Sequence, residues 1–299
     1  MSALDTLANL RGELLTDESM ARHSSWRAGG PADRYYRPAD LEDLALFLGQ
    51  LPPEEPVYWV GLGSNLLVRD GGIRGTVIAT SGALNGLALV APDTVRAEAG
   101  VASAKVARFS TDHGLSGAEF LAGIPGTVGG ALAMNAGAFG GQTWDIVAAV
   151  ETVDRHGRRH ERGPDAYRVG YRHVEGPEGE WFVAAHFRLE AGDTAAAKGL
   201  IKSLLNKRGR TQPTQLANAG SVFKNPENDF AARLIEECGL KGKCVGRACV
   251  SELHANFIVN TGGASARDIE RLIDEVRDTV QARQGVCLEL EVRIVGEPG

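Results

Sequence analysis

One uncharged stretch, Phe120–Trp144, constrains the fold of this chain more than any other feature of its sequence. Its 25 residues would be long enough for a membrane-spanning helix, but they include seven glycines and a proline and form no continuous apolar block. Such a composition predicts tight turns and places where the backbone approaches a ligand closely. Glycine is abundant in the whole chain, at 38 of 299 residues, so we interpret the stretch as a buried loop and helix of a globular protein.

The charge of the chain limits its partners. A net charge of −6 argues against nucleic acid, because affinity for nucleic acid depends on a basic surface. The N-terminal residues contain no basic region followed by an apolar core, so no signal peptide is predicted. We therefore expect a cytoplasmic monomer that binds neither nucleic acid nor membrane.

No metal site is predicted. The cysteines, spaced by six, five and 38 residues, do not match the closely spaced pairs of zinc sites; they are Cys238, Cys244, Cys249 and Cys287. Cys238 lies on the apolar side of a predicted helix, which indicates a buried, inert thiol. His156 and His160 flank the turn of a predicted exposed hairpin and are not expected to bind metal.

Hydrophobic periodicity and capping signals predict a mixture of helices and strands. The predicted helices begin near Asp40, run over Val101–His113 and Ala195–Lys207, extend from a cap at Asn228 to Gly239, and begin at a Ser265/Asp268 capping pattern. The predicted strands are Val57–Val60, Leu66–Val68, Thr76–Thr80, Val147–Asp154, His160–Arg162, Trp181–Leu189 and an alternating segment over Val286–Ile294. There is no regular βαβ repeat, so the expected fold class is α+β.

The first glycine motif follows the strand Val57–Val60 and reads Gly61-Leu62-Gly63-Ser64-Asn65-Leu66. It begins like a dinucleotide-binding fingerprint, but its sixth position is leucine and a strand follows instead of a helix. A turn of this composition offers free backbone N–H groups to phosphate oxygens. The alternative is a tight turn between two strands.

The second motif, Gly117–Gly137, lies mostly within the uncharged stretch and is dense in small residues. It lacks the lysine of a P-loop, so any phosphate would be held by amide N–H groups alone. The alternative is a glycine-rich packing helix. Two glycine motifs in one half of the chain suggest a large dinucleotide that contacts both of them.

The third motif is Asn218–Pro226, in which Ser221 follows a glycine. It is not the nucleophile elbow of hydrolases, and no motif supplies a base for the serine. Such a serine is either a turn residue or a donor of a proton to a very basic carbanion. By themselves, Arg168 and Glu291 would be surface charges, and periodicity alone does not choose between Glu289 and Glu291.

Taken in order, GLGSNLLV, AGIPGTVGGALAMNAGA, AGSVFKNP, LHANFIVNTGGASARDI and LELEVRIVG resemble the UDP-N-acetylenolpyruvoylglucosamine reductase family. The resemblance spans about Ser25 to Gly296. It implies a vanillyl-alcohol-oxidase/PCMH-like FAD-binding region over 1–195, with subdomains of about 1–85 and 86–195, and an α+β substrate domain over 200–299. It also implies reduction of enolpyruvyl UDP-N-acetylglucosamine to UDP-N-acetylmuramate with NADPH and FAD, for peptidoglycan synthesis.

The resemblance also implies roles for individual residues. Ser221 would donate a proton, and Arg168 of the pair Tyr167-Arg168 and Glu291 would complete the catalytic set. FAD would be bound by Gly61, Gly63, Ser64, Asn65, Leu66, Gly123, Ile124, Pro125, Gly126, Gly129, Gly130, Asn135 and Gly137. The UDP-sugar would be bound by Tyr167, Lys224, Asn225 and Asn256. Gly170 stands where family members often have a serine.

Two alternatives stay open at this point. The first is another flavin oxidoreductase of the same superfamily, acting on a free sugar or a lactone. Several of those attach flavin through a histidine near a glycine pair, and Arg27–Pro31 contains no histidine, so FAD is expected to be non-covalent. The second alternative is a nucleotide-binding protein without activity.

Overall fold

The computed structural model describes residues 8–299, which form two compact units whose segments alternate along the chain. The first unit contains the described residues up to Leu15, Arg34–Gly61 and Gly75–Asn206. The second contains Thr16–Asp33, Leu62–Arg74 and Lys207–Gly299. This differs from the single boundary expected near residues 195–200. The reason is long-range pairing, because the last strand of the chain is parallel to Leu66–Val68 and groups that early segment with the C-terminal residues.

The described residues contain six α-helices. They are α1 (Leu41–Gln50), α2 (Ser103–Asp112), α3 (Val128–Ala133), α4 (Thr194–Thr211), α5 (Ala231–Glu237) and α6 (Ala266–Gln284). The predicted caps of α1 and α6 are confirmed, at Asp40 and at the Ser265/Asp268 capping box. The predicted start of α5 is wrong, because Asn228 has a φ of +60° and the helix begins at Ala231. Within residues 8–299, no helix has the length and apolar character needed to cross a membrane.

Strands account for most of the remaining regular structure. The strands are β1 (Glu13–Ser19), β2 (Pro31–Arg37), β3 (Val57–Val60), β4 (Leu66–Val68), β5 (Ile73–Ala79), β6 (Leu87–Ala91), β7 (Thr94–Glu98), β8 (Leu115–Ser116), β9 (Gly137–Ala138), β10 (Gly141–Gln142), β11 (Val147–Asp154), β12 (Arg159–Arg162), β13 (Arg168–Gly170), β14 (His173–Glu175), β15 (Glu180–Arg188), β16 (Glu190–Ala191), β17 (Ala217–Asn218), β18 (Cys244–Val245), β19 (Ala248–Val250), β20 (Ile258–Asn260) and β21 (Arg293–Val295). Their larger sheets have the orders β1-β2-β5-β3, β12-β11-β15-β7-β6 and β17-β20-β19-β18. This mixed content confirms the α+β class.

The first unit is built around the antiparallel sheet β12-β11-β15-β7-β6. One apolar cluster joins this sheet to α2 and α3 and includes Val95, Phe187, Val106 and Leu132. A second cluster contains the buried side of α1, where the rings of Tyr36 and Phe47 stack with centroids 3.8 Å apart. The first of these clusters also contains apolar residues of the glycine-rich stretch, which supplies α3.

The second unit has one core, formed largely by α5, α6 and the strands beside them. The periodic sequence of α6 predicts one apolar face, and its residues are all buried: Ile269, Leu272, Ile273, Val276 and Val280. Cys238 is also buried, as predicted. Cys244 and Cys249 are opposite each other on β18 and β19 and form a disulfide, which the sequence analysis did not predict. The described residues contain no group of three or more side chains able to hold a metal ion.

The alternating C-terminal segment is only partly a strand. Regular pairing is confined to β21, although Leu288 and Val292 are buried as the alternation predicted. Before β21, the segment has only an isolated bridge between Leu290 and Phe223. That bridge places the segment beside the third sequence motif.

Candidate active site

Within the first unit, Gly61 of the first glycine motif packs directly against Thr127 of the second. A Cβ atom on Gly61 would lie 2.3 Å from Thr127 Oγ1, so only glycine fits without a shift of the backbone or of Thr127. The Thr127 hydroxyl is buried and has no hydrogen-bond partner within residues 8–299, and the same is true of the Ser103 hydroxyl on α2. Buried hydroxyls without partners are costly, so they mark a place where polar atoms of a ligand would complete the bonding.

The turn between β3 and β4 presents consecutive free donors. The N–H groups of Leu62, Gly63 and Ser64 donate to no residue in the described part of the chain. Gly63 has a φ of +60°, and a Cβ atom there would lie 2.0 Å from the carbonyl oxygen of His23. Successive free N–H groups in such a turn form a concave site for anions. These are the donors that the sequence predicted for phosphate oxygens.

Asn65 and Leu66 have backbone roles within the second unit. The Asn65 side chain donates to the Glu291 carbonyl at 3.0 Å, and the Asn65 carbonyl accepts from the N–H of Arg293 at 3.0 Å. Leu66 pairs with Arg293 in the parallel ladder of β4 and β21. The turn is thereby held next to the segment that carries Glu291.

The second glycine motif offers fewer free donors than its sequence suggested. The N–H groups of Val128 and Gly129 donate to backbone carbonyls of residues 99–101, both at 2.9 Å. Those of Thr127 and Gly130 donate to none of residues 8–299. A Cβ atom on Gly129 would touch Ala99 at 3.0 Å, whereas one on Gly130 would meet only Thr127 Oγ1 at 3.9 Å. Gly129 is therefore a packing glycine, and Gly130 is exposed beside open space.

Gly130→Leu tests whether a ligand occupies that open space. We expect the variant to fold normally, because leucine is a good helix former and the added atoms meet no protein atom closely. FAD affinity should fall at least about tenfold, since close approach of the backbone is lost. The measurement is FAD titration of the apoprotein, followed by flavin fluorescence. Gly199→Leu, on an exposed face of α4 with nothing nearby, is the control and should bind FAD normally.

Asn135 joins the second glycine motif to the hairpin of β13 and β14. Its Oδ1 accepts the Trp144 N–H at 3.1 Å, and its Nδ2 donates to the Gly170 carbonyl at 3.1 Å. The guanidinium of Arg172 donates to the carbonyls of Asn135 and Gly137, at 3.4 and 3.1 Å. Asn135 and Arg172 both have positive φ, a conformation that is uncommon outside glycine and clusters at functional sites.

Arg168, the predicted catalytic arginine, lies on the outside of the same hairpin. Its side chain is 83% exposed and forms an ion pair with Glu175 across the hairpin at 3.0 Å. It makes no hydrogen bond to the glycine motif, whereas Arg172 makes two. The sequence contained a signal for this difference, because Tyr171-Arg172 repeats the Tyr-Arg pair four residues later.

Tyr167 is a packing residue in this structure. Its ring lies 4.8 Å from that of Trp144 and 5.4 Å from that of Phe182. Burial raises the pKa of its hydroxyl to about 12. The hydroxyl is buried and has no hydrogen-bond partner within residues 8–299, as at Thr127 and Ser103, so the contact of Tyr167 with substrate stays a prediction.

The local structure around Ser221 follows from its neighbours. The Asn218 side chain accepts the Gly220 N–H at 2.9 Å, and Gly220 has a φ of +75°. This turn leads into Val222 and Phe223, which are buried. The Ser221 hydroxyl is partly exposed and makes no hydrogen bond within residues 8–299, so it is available to a ligand.

Ser221 and Glu291 lie on adjacent antiparallel segments of the second unit. The Glu291 N–H donates to the Val222 carbonyl at 2.8 Å, and the Lys224 N–H donates to the Glu289 carbonyl at 2.8 Å. The Glu289 side chain is 76% exposed and pairs with Lys224 Nζ at 3.3 Å, while Glu291 is only partly exposed. The structure thus distinguishes the two glutamates that periodicity left equivalent.

The Asn256 side chain fixes the backbone two residues after Ser221. Its Oδ1 accepts the Phe223 N–H at 3.0 Å, and its Nδ2 donates to the Phe223 carbonyl at 2.8 Å. It is 3% exposed, so the geometry supports a positioning role and not the predicted direct contact. Asn225 is exposed, but its Oδ1 accepts the Ala231 N–H at the start of α5.

Asn256→Ala should lower the free energy of unfolding by about 2–4 kcal/mol, because both polar groups of the buried Phe223 backbone lose their partner. The measurement is urea unfolding followed by tryptophan fluorescence. Asn206→Ala, at an exposed position of α4, is the control and should change stability by less than about 0.5 kcal/mol. A similar loss in both variants would contradict the positioning role.

Comparison with known proteins agrees with this arrangement. Residues 32–163 match the model of an FAD binding domain, and residues 212–295 match the model for the UDP-N-acetylenolpyruvoylglucosamine reductase, C-terminal domain. The chain is 61% identical to the UDP-N-acetylenolpyruvoylglucosamine reductase of Methylococcus capsulatus, over 99% of this chain and 97% of that protein. The chain belongs to the UDP-N-acetylenolpyruvoylglucosamine reductase family. It is therefore an FAD-dependent oxidoreductase, as the family resemblance implied.

A second relative and a solved structure of this reductase family also match the chain over nearly its whole length. The reductase of Alkalilimnicola ehrlichii is 62% identical over 96% of each chain. The crystal structure of the reductase from Thermus caldophilus superposes with a TM-score of 0.79 at 33% identity, over 96% of this chain and 99% of that one. The predicted combination of an FAD-binding fold and an α+β reductase domain is confirmed.

Proposed function

We propose that this chain reduces enolpyruvyl UDP-N-acetylglucosamine to UDP-N-acetylmuramate with NADPH, in the synthesis of peptidoglycan precursors. One observation carries the proposal: the unbonded hydroxyl of Ser221 lies beside the Glu291 segment in a chain of this family. The substrate is an enol ether, which is electron-rich and accepts hydride poorly unless charge on its carboxylate is stabilised and a proton is supplied.

The residues of the glycine motifs fit FAD. In the second unit, the free N–H groups of residues 62–64 suit phosphate oxygens. In the first unit, the hydroxyl and N–H of Thr127 and the N–H of Gly130 are donors of the same kind. Gly123, Ile124, Pro125 and Gly126 stay predicted contacts. FAD held by these residues would supply the hydride chemistry between NADPH and the substrate.

The other residues bind the substrate and move its proton. Ser221 donates a proton to the carbon next to the one that receives hydride. Arg172 and Lys224 are cations able to stabilise charge that develops on the substrate carboxylate. We assign the arginine role to Arg172 in preference to Arg168, because Arg172 is fixed to the glycine motif by two carbonyls. Glu291 would either maintain the polarity of the site or assist the proton transfer from Ser221.

We expect the purified protein to be yellow and to release intact FAD when it is precipitated with acid. The segment Arg27–Pro31 offers no histidine for a covalent bond, and the donors described above bind phosphate without covalent chemistry. The measurement is the flavin absorbance of pellet and supernatant after precipitation. Flavin that stays with the pellet would contradict non-covalent binding.

Steady-state NADPH oxidation, with and without the enolpyruvyl sugar nucleotide, tests the function and separates its alternatives. The proposal predicts oxidation that depends on this substrate, with UDP-N-acetylmuramate identified by mass spectrometry. Oxidation that instead depends on a free sugar or lactone would favour another flavin oxidoreductase. Binding of the sugar nucleotide without any oxidation would favour a nucleotide-binding protein.

We also propose that the chain acts in the cytoplasm as a monomer, without nucleic acid as a partner. The net charge of −6 supports the last point, because a nucleic-acid-binding surface requires an excess of positive charge.

A further inference from the structure

Phe230, the residue immediately before α5, is an aromatic side chain that the fold leaves in solvent. It is 65% exposed, more than any other large apolar side chain within residues 8–299. The residue that precedes a helix is usually serine, threonine, aspartate or asparagine, and Phe230 makes no side-chain hydrogen bond to α5. Neither burial nor helix capping therefore explains a phenylalanine at this position.

The backbone of Phe230 is fixed although its ring is exposed. Its N–H donates to Asp229 Oδ1 at 2.7 Å, and its carbonyl accepts the N–H groups of Arg233 and Leu234 at 3.0 and 3.2 Å. The Arg233 side chain in turn donates to Asp229 through its Nε at 2.7 Å. The next residue, Ala231, is part of the core of the second unit. The ring is thus carried by a backbone whose polar groups are bonded.

Exposed apolar side chains in the second unit are confined to segments bonded to the candidate site. Within the described part of that unit, the exposed large apolar side chains are Leu62, Leu216, Phe230 and Leu253. Each lies one to three residues from a residue whose hydrogen bond reaches the segment of Ser221 or of Glu291; these are Asn65, Asn218, Ala231 and Asn256. Single exposed apolar residues are normal, but several around one site indicate a ligand-binding surface, of which Phe230 is the aromatic part.

Asn225 connects Phe230 with the segment that carries Ser221. The Asn225 Oδ1 accepts the N–H of Ala231, the residue after Phe230, at 3.1 Å. Ser221 and Asn225 are four residues apart, which is at most about 13 Å along an extended chain. Under the proposed function, the enolpyruvyl group of the substrate lies at Ser221, and the sugar and diphosphate separate that group from the uracil. Phe230 is therefore at the end of the segment where the uracil would lie.

We propose that the Phe230 ring stacks against the uracil of the UDP-sugar substrate, an inference that rests on the proposed function. Uracil is the only aromatic ring of that substrate, and stacking of an aromatic side chain on a base is favourable. A nicotinamide ring is a less suitable occupant, because NADPH and the enolpyruvyl group must reach the same flavin and hence the neighbourhood of Ser221. The contact is the same in the ground state and the transition state, so Phe230 acts in binding and not in the chemical step.

The test is isothermal titration calorimetry of the oxidised holoenzyme with UDP-N-acetylglucosamine and with its dihydrouracil analogue, whose pyrimidine ring is not aromatic. Wild type should bind the uracil compound at least about fivefold more tightly, and Phe230→Ala should lose that preference by binding the uracil compound more weakly. Phe230→Tyr keeps an aromatic ring and should stay within about twofold of wild type. Leu200→Ala, at an exposed apolar position of α4 in the first unit, is the control and should keep both Kd values within about twofold.

Steady-state kinetics give a second readout, which damage to the fold would not reproduce. Phe230→Ala should raise the KM for the enolpyruvyl compound at least about fivefold and leave kcat within about twofold, because only uniform binding is lost. The KM for NADPH and the affinity for FAD should be unchanged.

A Phe230→Ala variant that keeps the wild-type preference for uracil would overturn the inference, and so would a loss of FAD or NADPH affinity in place of substrate affinity. Either result, with a wild type that reduces the enolpyruvyl compound, leaves the proposed function intact. A wild type that prefers uracil but does not reduce the enolpyruvyl compound contradicts the proposed function alone, and one that binds neither UDP compound overturns both. If Phe230→Ala does not fold, Phe230→Leu carries the test, because it keeps an apolar side chain without the ring and should also lose the preference.

Discussion

Replacing Ser221 by alanine should slow flavin reoxidation by the enolpyruvyl sugar nucleotide about 10²–10⁴-fold, the usual contribution of a positioned general acid. Flavin reduction by NADPH should stay nearly unchanged, because that half-reaction needs no proton from the substrate side. The Ser221 hydroxyl is partly exposed and unbonded in the second unit, so its removal costs little stability. Anaerobic stopped-flow absorbance of the flavin measures both half-reactions separately.

Ser221→Cys is the matched control for this prediction. A thiol still donates a proton, so the cysteine variant should reoxidise faster than the alanine variant. Substrate affinity should change little in either variant, since the hydroxyl acts mainly in the transition state. If alanine slows both half-reactions equally, Ser221 is a positioning residue and the proton donor is Glu291 or a bound water.

Arg172→Gln should lower kcat about 10²–10³-fold, comparable to the loss of a preorganised group that stabilises charge in a transition state. The physical reason is its fixed placement, because two carbonyls of the second glycine motif hold the guanidinium. Arg168→Gln should change kcat less than about twofold, since its partner is a surface glutamate. Steady-state kinetics of the two variants, which differ by four positions on one hairpin, measure the contrast.

The paired variants also test the opposite assignment. If Arg168→Gln abolishes turnover and Arg172→Gln does not, the role belongs to the pair Tyr167-Arg168, as the family resemblance implied. Arg172→Lys helps to separate charge from geometry. It keeps a cation but not the fork that contacts both carbonyls, so it should fall between wild type and Arg172→Gln.

Local signals in the sequence predicted the elements that depend on neighbouring residues. The capping box at Ser265 and the periodic face of α6 depend on contacts three or four residues apart, and both are confirmed. The free N–H groups of residues 62–64 follow from the composition of a tight glycine turn. Motif resemblance, and not periodicity, selected Ser221 and Glu291.

Long-range pairing is what the sequence could not reveal. The parallel ladder of β4 and β21 joins residues more than two hundred positions apart, and no local pattern encodes it. No local pattern encodes the contact of Gly61 with Thr127 or the hydrogen bond between Asn256 and Phe223 either. Where two similar residues competed, as with Glu289 and Glu291, only their burial and partners in the fold distinguished them.

The most direct test is a single anaerobic turnover. The protein is reduced with one equivalent of NADPH and then mixed with either enolpyruvyl UDP-N-acetylglucosamine or UDP-N-acetylglucosamine, which lacks the enol ether. We predict that the yellow absorbance of oxidised flavin returns only with the enolpyruvyl compound, together with one equivalent of UDP-N-acetylmuramate. Flavin that stays reduced with the enolpyruvyl compound, or that reoxidises equally with both compounds, would contradict the proposed reaction.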